Sequence, residues 1–170
     1  MPHPNPIAVI TGASSGIGAV YADRLAARGH NLVLVARRRD RLLVLADRLA
    51  KTYGVKVEAL EADLMTEKGL ASVEQLLKTN TAVSLLINNA GNGKLGPTLG
   101  MSDADALSTI ALNITALTRL SRAALPGFLT RNSGAIINIS SVLALQALPI
   151  ASLYSGTKAY VLNFTRGLRG

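Results

Sequence analysis

The sequence predicts a single α/β domain, with a parallel β-sheet and helices packed on its faces. Three observations support this prediction. Short apolar runs alternate with helical patterns along the chain, and such runs are typical of strands buried on both faces of a parallel sheet. A glycine-rich turn connects the first strand to the first helix. The chain has 170 residues, which is enough for one domain with a sizeable core.

The elements alternate from the first strand onward. Apolar runs predict five strands, near residues 7–12, 31–36, 55–61, 83–88 and 135–140. Helical patterns lie near residues 17–28, 39–52, 67–79, 103–130 and 153–169. This alternation implies parallel strands joined by right-handed crossovers. Ligands bind at the carboxyl ends of such strands, so we expect loops 89–102 and 141–152, which follow strands, to line a site.

The turn after the first strand has the sequence T-G-A-S-S-G-I-G at residues 11–18. Gly12 permits a tight turn, Gly16 lets the backbone approach a pyrophosphate, and Gly18 allows close packing of helix on sheet. The first N–H groups of the helix would then face the phosphates. As a bare pattern this spacing also fits a glycine-rich hairpin. The strand before it and the helix after it favour nucleotide binding.

The formal net charge is +8, and the densest cluster of arginines follows the second strand. In a dinucleotide fold, an acidic residue at the end of that strand binds the free ribose 2′-hydroxyl. Here Arg37 and Arg38 stand at this place, with no carboxylate before Asp40. A guanidinium group suits a phosphate. The pattern therefore favours NADP over NAD, with NAD as the second option, while the other arginines fit a solvated helix face.

The composition excludes several classes of protein. The chain has no cysteine, so it has neither disulfides nor thiolate chemistry. It has no apolar stretch of transmembrane length and no signal-peptide plan at its start, so we expect a cytoplasmic protein without a membrane partner. Aromatic residues make up only 4% and tryptophan is absent, which disfavours base-stacking nucleic-acid modules. No metal-ligand cluster is visible in the sequence.

A tyrosine and a lysine in the last helical pattern suggest a reaction centre. Tyr154 and Lys158 are four residues apart and would share one helix face. An ammonium group beside a phenol favours the phenolate, so the phenol could exchange a proton with an alcohol or carbonyl near neutral pH. Ser141 lies thirteen residues before Tyr154. Taken alone, the Tyr–Lys pair also fits an ordinary amphipathic helix.

These motifs, in this order, resemble the short-chain dehydrogenase/reductase family. The matching segments are the glycine turn 11–18, Asp63-Leu64 after the third strand, N-N-A-G at 88–91, Asn113, Ser141, and Y-x-x-x-K at 154–158. The resemblance covers essentially the whole chain. It implies a Rossmann-type doubly wound parallel sheet, truncated after the helix that follows the fifth strand. The 170 residues are then expected to be one NAD(P)-binding domain and the N-terminal portion of a chain of about 250 residues.

The resemblance also implies a role for each catalytic residue. Tyr154 would be the general acid and base, and Ser141 would hold the same substrate oxygen, with Ser140 as its rival. Lys158 would support Tyr154 and grip the nicotinamide ribose, and Asn113 would hold a water that links Lys158 to solvent. We expect the hydroxyls of Ser155 and Thr157 to lie on the helix surface. The implied cofactor site comprises Gly12, Ser14, Ser15, Gly16, Ile17, Gly18, Arg37, Arg38, Asp63, Leu64, Asn89, Ala90, Gly91, Tyr154 and Lys158.

The implied function is that of an NADP(H)-dependent oxidoreductase acting on a ketone, an aldehyde or a secondary alcohol. The alternative is a nucleotide-binding regulatory or redox-sensing protein, which would not need the proton-transfer residues. A nucleic-acid binder is disfavoured because the sequence shows no arginine stripe. The resemblance further implies a homo-dimer or homo-tetramer built on helices 103–130 and 153–170. Apolar residues near the expected site, such as Leu143 and Leu145, suggest a hydrophobic carbonyl substrate.

Overall fold

The computed structural model describes residues 6–169, so residues 1–5 and 170 of the predicted domain lie outside the described part. It contains a five-stranded sheet in the order β3-β2-β1-β4-β5, in which every neighbouring pair is parallel. The strands are β1 (Ile7–Thr11), β2 (Asn31–Ala36), β3 (Val57–Glu61), β4 (Val83–Asn88) and β5 (Ala135–Asn138). The predicted α/β class and parallel sheet are confirmed. The strand order reverses between β1 and β4, which is where open α/β sheets bind their ligands.

Helices follow the strands as the alternation predicts. Within residues 6–169 they are α1 (Gly16–Ala26), α2 (Arg39–Tyr53), α3 (Glu67–Thr79), α4 (Asp103–Ile110), α5 (Leu117–Thr130) and α6 (Ser152–Gly167). The helical pattern predicted at 103–130 is confirmed, although it is not one continuous α-helix. It is interrupted by a six-residue π-helical segment, Ala111–Ala116, that joins α4 to α5 and contains Asn113. Such segments occur frequently at functional sites.

Apolar side chains cover both faces of the sheet, because successive residues of a strand point to opposite faces. In β1, Ala8 and Ile10 belong to a core shared with α1 and α2, whereas Val9 belongs to a core shared with α3 and α5. Leu42 and Leu49 of α2 are fully buried on the first side. This packing holds the carboxyl ends of β1, β2 and β4 at one edge of the sheet.

Candidate active site

A cleft of 340 Å³ opens at the carboxyl ends of β1, β2 and β4. It is lined by most of the residues that the sequence assigns to the cofactor: Gly12, Ser14, Ser15, Ile17, Arg37, Arg38, Asp63, Leu64, Asn89, Ala90 and Gly91. Val35, Ala36, Ala62, Met65 and Leu112 complete the lining, and the sequence analysis did not single them out. Motifs that are far apart in the sequence therefore meet at one edge of the sheet.

The glycine turn requires a left-handed backbone at two of its glycines and close packing at Gly12 and Gly18. Gly12 has a φ of 66° and Gly16 a φ of 57°, in the left-handed region that glycine tolerates. Gly18 lies buried under the turn, where a Cβ atom would be 2.5 Å from the carbonyl oxygen of Gly12 and 2.6 Å from Nδ2 of Asn89. The turn is thus packed closely enough to bring its backbone to the cleft wall.

Two side chains tie the end of β4 to the glycine turn. Nδ2 of Asn89 donates to the carbonyl oxygens of Thr11 and Gly12 at 3.0 and 3.2 Å. The buried Oγ1 of Thr11 accepts from the backbone N–H groups of Asn89 and Ala90, both at 3.0 Å. The sequence analysis gave Thr11 no role of its own. The sequence signal for this role was the position of Thr11, directly before Gly12 at the end of a strand.

The arginine cluster contributes one side chain that is fixed against the turn. Nη2 of Arg38 donates to Oγ of Ser14 at 3.0 Å and to Oγ of Ser15 at 2.9 Å. Arginine has five N–H donors, so these two bonds orient the guanidinium and leave further donors for an anion. Arg37 also lines the cleft. Asp63, which also lines the cleft, accepts from the backbone N–H of Met65 at 3.0 Å and so orders the segment after β3.

The predicted proton-transfer pair lies on α6. Lys158 is 5% exposed, and its Nζ is 5.7 Å from the centroid of the Tyr154 ring. The same Nζ donates to the carbonyl oxygen of Ile139 at 2.8 Å. Burial lowers the pKa of Lys158 from its ordinary value, because loss of water disfavours the charged form.

The two candidate serines, which follow β5, differ in what they bind. Oγ of Ser140 donates to the carbonyl oxygen of Lys158 at 2.8 Å, so this hydroxyl is occupied in holding α6. Ser141 caps the 3₁₀ turn Val142–Ala144, where its Oγ accepts from the backbone N–H of Leu143 at 3.2 Å. Ser141 therefore keeps its hydroxyl proton for another acceptor, which supports its choice over Ser140.

Asn113 connects the loop after β4 to α6. Its side chain is buried, and Nδ2 donates to the carbonyl oxygen of Asn92 at 2.8 Å and to Oγ1 of Thr157 at 3.0 Å. Its Oδ1 accepts from the backbone N–H of Asn92 at 2.9 Å. Its expected role in holding a water for Lys158 stays a prediction. The expectation that Ser155 and Thr157 carry surface hydroxyls was wrong, since both residues are buried and Thr157 belongs to this network.

Two other kinds of feature are absent from the described residues. No group of three or more histidines, aspartates or glutamates within 6–169 comes together in a way that could hold a metal ion. In the same part of the chain, no helix combines the length and the apolar character needed to cross a membrane.

Comparison with known proteins gives a consistent result. A family model described as short chain dehydrogenase matches residues 6–170. The very-long-chain 3-oxoacyl-CoA reductase of Anas platyrhynchos is 34% identical over 165 residues, an alignment that covers 95% of this chain and 53% of the relative. The chain spans about half the length of the curated relatives it matches.

Two solved structures are more similar still. A short-chain dehydrogenase from Sphingobium yanoikuyae, solved in complex with NADPH, is 48% identical with a TM-score of 0.94, covering 96% of this chain and 64% of that one. The bulky-bulky ketone specific alcohol dehydrogenase from Comamonas testosteroni is 44% identical with a TM-score of 0.95, covering 98% of this chain and 67% of that one. The NADPH in the first structure supports the expected choice of NADP.

Proposed function

This chain belongs to the short-chain dehydrogenase family. We propose that it is an NADP(H)-dependent oxidoreductase acting on a ketone, an aldehyde or a secondary alcohol. One observation supports this more than any other. Gly91 lines the cleft beside the glycine turn, and a Cβ atom built on it would lie 3.5 Å from Nζ of Lys158. The cofactor cleft and the Tyr154–Lys158 pair are therefore contiguous.

The residues present fit a phosphorylated dinucleotide. The closely packed turn of Gly12 and Gly18 would bring backbone N–H groups to the pyrophosphate. Arg38, held by two serine hydroxyls, would bind the 2′-phosphate as a charged fork. Asp63 and Leu64 also line the cleft, where they would flank the adenine. When bound, the nicotinamide supplies the hydride in reduction and accepts it in oxidation.

The protein's own residues would donate and accept the proton. In reduction, the phenol of Tyr154 would donate a proton to the carbonyl oxygen, and in oxidation it would remove that proton. The hydroxyl of Ser141 would donate a hydrogen bond to the same oxygen and stabilise its developing negative charge. Lys158, buried beside the ring, would support Tyr154 and bind the nicotinamide ribose. Asn113 would hold the loop and α6 in register.

The substrate side of the site has an apolar and nearly uncharged wall. Segment 141–152 contains no charged residue, and Val142 and Leu145 are both 75% exposed. In the other loop, 89–102, the ammonium of Lys94 is paired with a carboxylate oxygen of Asp105 at 2.7 Å, so its charge is balanced. An uncharged, apolar carbonyl compound suits such a wall better than a sugar does. We therefore propose a hydrophobic ketone or aldehyde, or the matching alcohol, as the substrate.

The remaining expectations about the protein stay proposals. A regulatory or redox-sensing nucleotide binder would need the cleft but not the set of Ser141, Tyr154 and Lys158, so the enzyme is the better interpretation. A homo-dimer or homo-tetramer built on α4, α5 and α6 is proposed from the family resemblance, whereas the cytoplasmic location stays a prediction from the sequence pattern. No partner of the nucleic-acid or membrane class is proposed.

A carbonyl panel tests the function directly. The protein is mixed with NADPH or NADH and with bulky apolar ketones, small ketones or ketose sugars, and the loss of reduced nicotinamide absorbance is followed. We expect turnover with NADPH on apolar ketones and much slower reaction on ketoses. Tight NADPH binding without turnover of any carbonyl or alcohol would instead support the regulatory alternative.

A further inference from the structure

We infer that Gly93 is a positioning residue for Tyr154, because its missing side chain lets the loop after β4 support the face of the tyrosine ring. This inference rests on the proposed function, in which Tyr154 transfers the proton. No motif used in the sequence analysis includes Gly93. Its role follows from its position against the ring in the folded chain.

The contact between Gly93 and Tyr154 has no spare room. A Cβ atom built on Gly93 would lie 2.6 Å from Cδ2, 2.9 Å from Cε2 and 3.2 Å from Cγ of Tyr154. Carbon atoms in ordinary contact are about 3.5–4.0 Å apart, so a methyl group at this position must displace the ring or the loop. The backbone of Gly93 is outside the left-handed region, so an alanine would be free of backbone strain.

The loop is held on both sides of Gly93. Immediately before it, Asn92 exchanges two hydrogen bonds with the buried side chain of Asn113, at 2.9 and 2.8 Å. Immediately after it, Lys94 pairs with Asp105 at 2.7 Å. Three residues after Gly93, the N–H of Gly96 donates to the carbonyl oxygen of Ile150 at 2.7 Å. Because the loop is anchored in this way, the tyrosine ring is the part that yields.

A shift of the ring would be amplified at its hydroxyl. The backbone of Tyr154 is fixed in α6, and its carbonyl oxygen accepts from Oγ1 of Thr157 at 2.8 Å. Cγ lies on the axis of the Cβ–Cγ bond and would itself be 3.2 Å from the added Cβ, so rotation about that bond cannot relieve the whole contact. The ring would therefore turn about the Cα–Cβ bond. The phenolic oxygen lies farther from the backbone than Cδ2 does, so it would move farther. A misplacement of about 1 Å at a reacting group can reduce the rate about a hundredfold.

The test compares Gly93→Ala with Gly100→Ala in the same loop. Gly100 is a matched control, because a Cβ atom there meets nothing within 4 Å and its backbone is also outside the left-handed region. Each variant is measured for kcat and KM with an apolar ketone, for NADPH affinity by fluorescence titration, for its thermal unfolding midpoint and for the pH profile of kcat. A Tyr154→Phe background completes a double-mutant cycle.

We expect Gly93→Ala to lower kcat about a hundredfold, to change the pH profile, and to leave NADPH affinity and the unfolding midpoint at the Gly100→Ala values. In the Tyr154→Phe background, the same substitution should cause little further loss. Equal kcat values for the Gly93 and Gly100 variants would overturn the inference. So would a loss of kcat that is matched by a loss of NADPH affinity or of unfolding midpoint.

A second readout separates this inference from the proposed function. Ultraviolet difference titration, with the Tyr154→Phe signal subtracted, reports the ionisation of the Tyr154 phenol without any turnover. A changed titration in Gly93→Ala but not in Gly100→Ala supports the contact even if no carbonyl is reduced. An unchanged titration in an enzyme that reduces ketones would refute the role of Gly93 while the proposed function stands.

Discussion

Replacing Arg38 by alanine should convert a preference for NADPH into near indifference between the two cofactors. The guanidinium is already oriented by Ser14 and Ser15 at 3.0 and 2.9 Å, so little side-chain freedom is lost when it binds a phosphate. A hydrogen bond to a charged group contributes about 1.5–3 kcal/mol. Because 1.4 kcal/mol is about tenfold in affinity, Arg38→Ala should weaken NADPH binding roughly tenfold to a hundredfold. NADH lacks the 2′-phosphate and should be unaffected.

The assay is fluorescence titration of both reduced cofactors against the wild type and single alanine variants. Arg39→Ala is the control, because Arg39 is the first residue of α2 and does not line the cleft. Replacing Ser14 and Ser15 together should cause a smaller loss for NADPH, since the guanidinium would be present but less ordered. Equal weakening of NADPH and NADH in Arg38→Ala would refute the reasoning. A larger loss in Arg37→Ala would transfer the phosphate contact to Arg37.

Three further substitutions test the structure around the site. Gly18→Ala should lower the unfolding midpoint and the NADPH affinity, because its Cβ would lie 2.5 Å from the Gly12 carbonyl oxygen. Gly156→Ala is the control, because a Cβ atom at Gly156 meets nothing within 4 Å. Equal unfolding midpoints for the two variants would contradict the close packing of Gly18. Lys158→Met should flatten the pH dependence of stability. Burial lowers the pKa of Lys158, so between that lowered value and the ordinary 10.5 the unfolded chain binds more protons and wild-type stability rises with pH. Denaturant unfolding across this pH range should show a smaller rise of the unfolding free energy in the variant. Identical slopes in the two proteins would count against the burial of Lys158. Asn113→Ala should reduce the free energy of unfolding by about 1–3 kcal/mol, because backbone groups of the loop lose their partner; urea unfolding measures this, and an unchanged free energy would mean that the tether contributes nothing.

The sheet and the glycine turn were predictable because local sequence determines them. The strands β1, β2 and β4 are short apolar runs with buried residues on both faces, and Gly12 and Gly16 sit where the backbone needs a left-handed conformation. The cofactor cleft followed from these, since most of its lining residues come at or soon after the ends of strands. The strand ends were not predicted as well: β5 ends at Asn138, two residues before the end of the strand predicted at 135–140.

The parts that could not be predicted depend on contacts between distant segments. The π-helical segment around Asn113 has the same apolar pattern as an α-helix, so periodicity alone does not reveal it. The burial of Thr157 follows from its bond to Asn113, and the contact of Gly93 with Tyr154 exists only once the loop and α6 are assembled. The sequence pointed first to Arg37, with Arg38 beside it in the predicted cofactor site, and the serine contacts are what distinguish Arg38.

The central proposal is that the phenol of Tyr154 transfers a proton beside a bound nicotinamide. Its most direct test is a single-turnover measurement of NADPH oxidation by Tyr154→Phe with an apolar ketone, alongside an NADPH titration of the same variant. Loss of a general acid should slow the reaction about 10²- to 10⁴-fold, while NADPH binds as tightly as it does to the wild type. A Tyr154→Phe variant that oxidises NADPH at the wild-type rate would contradict the mechanism.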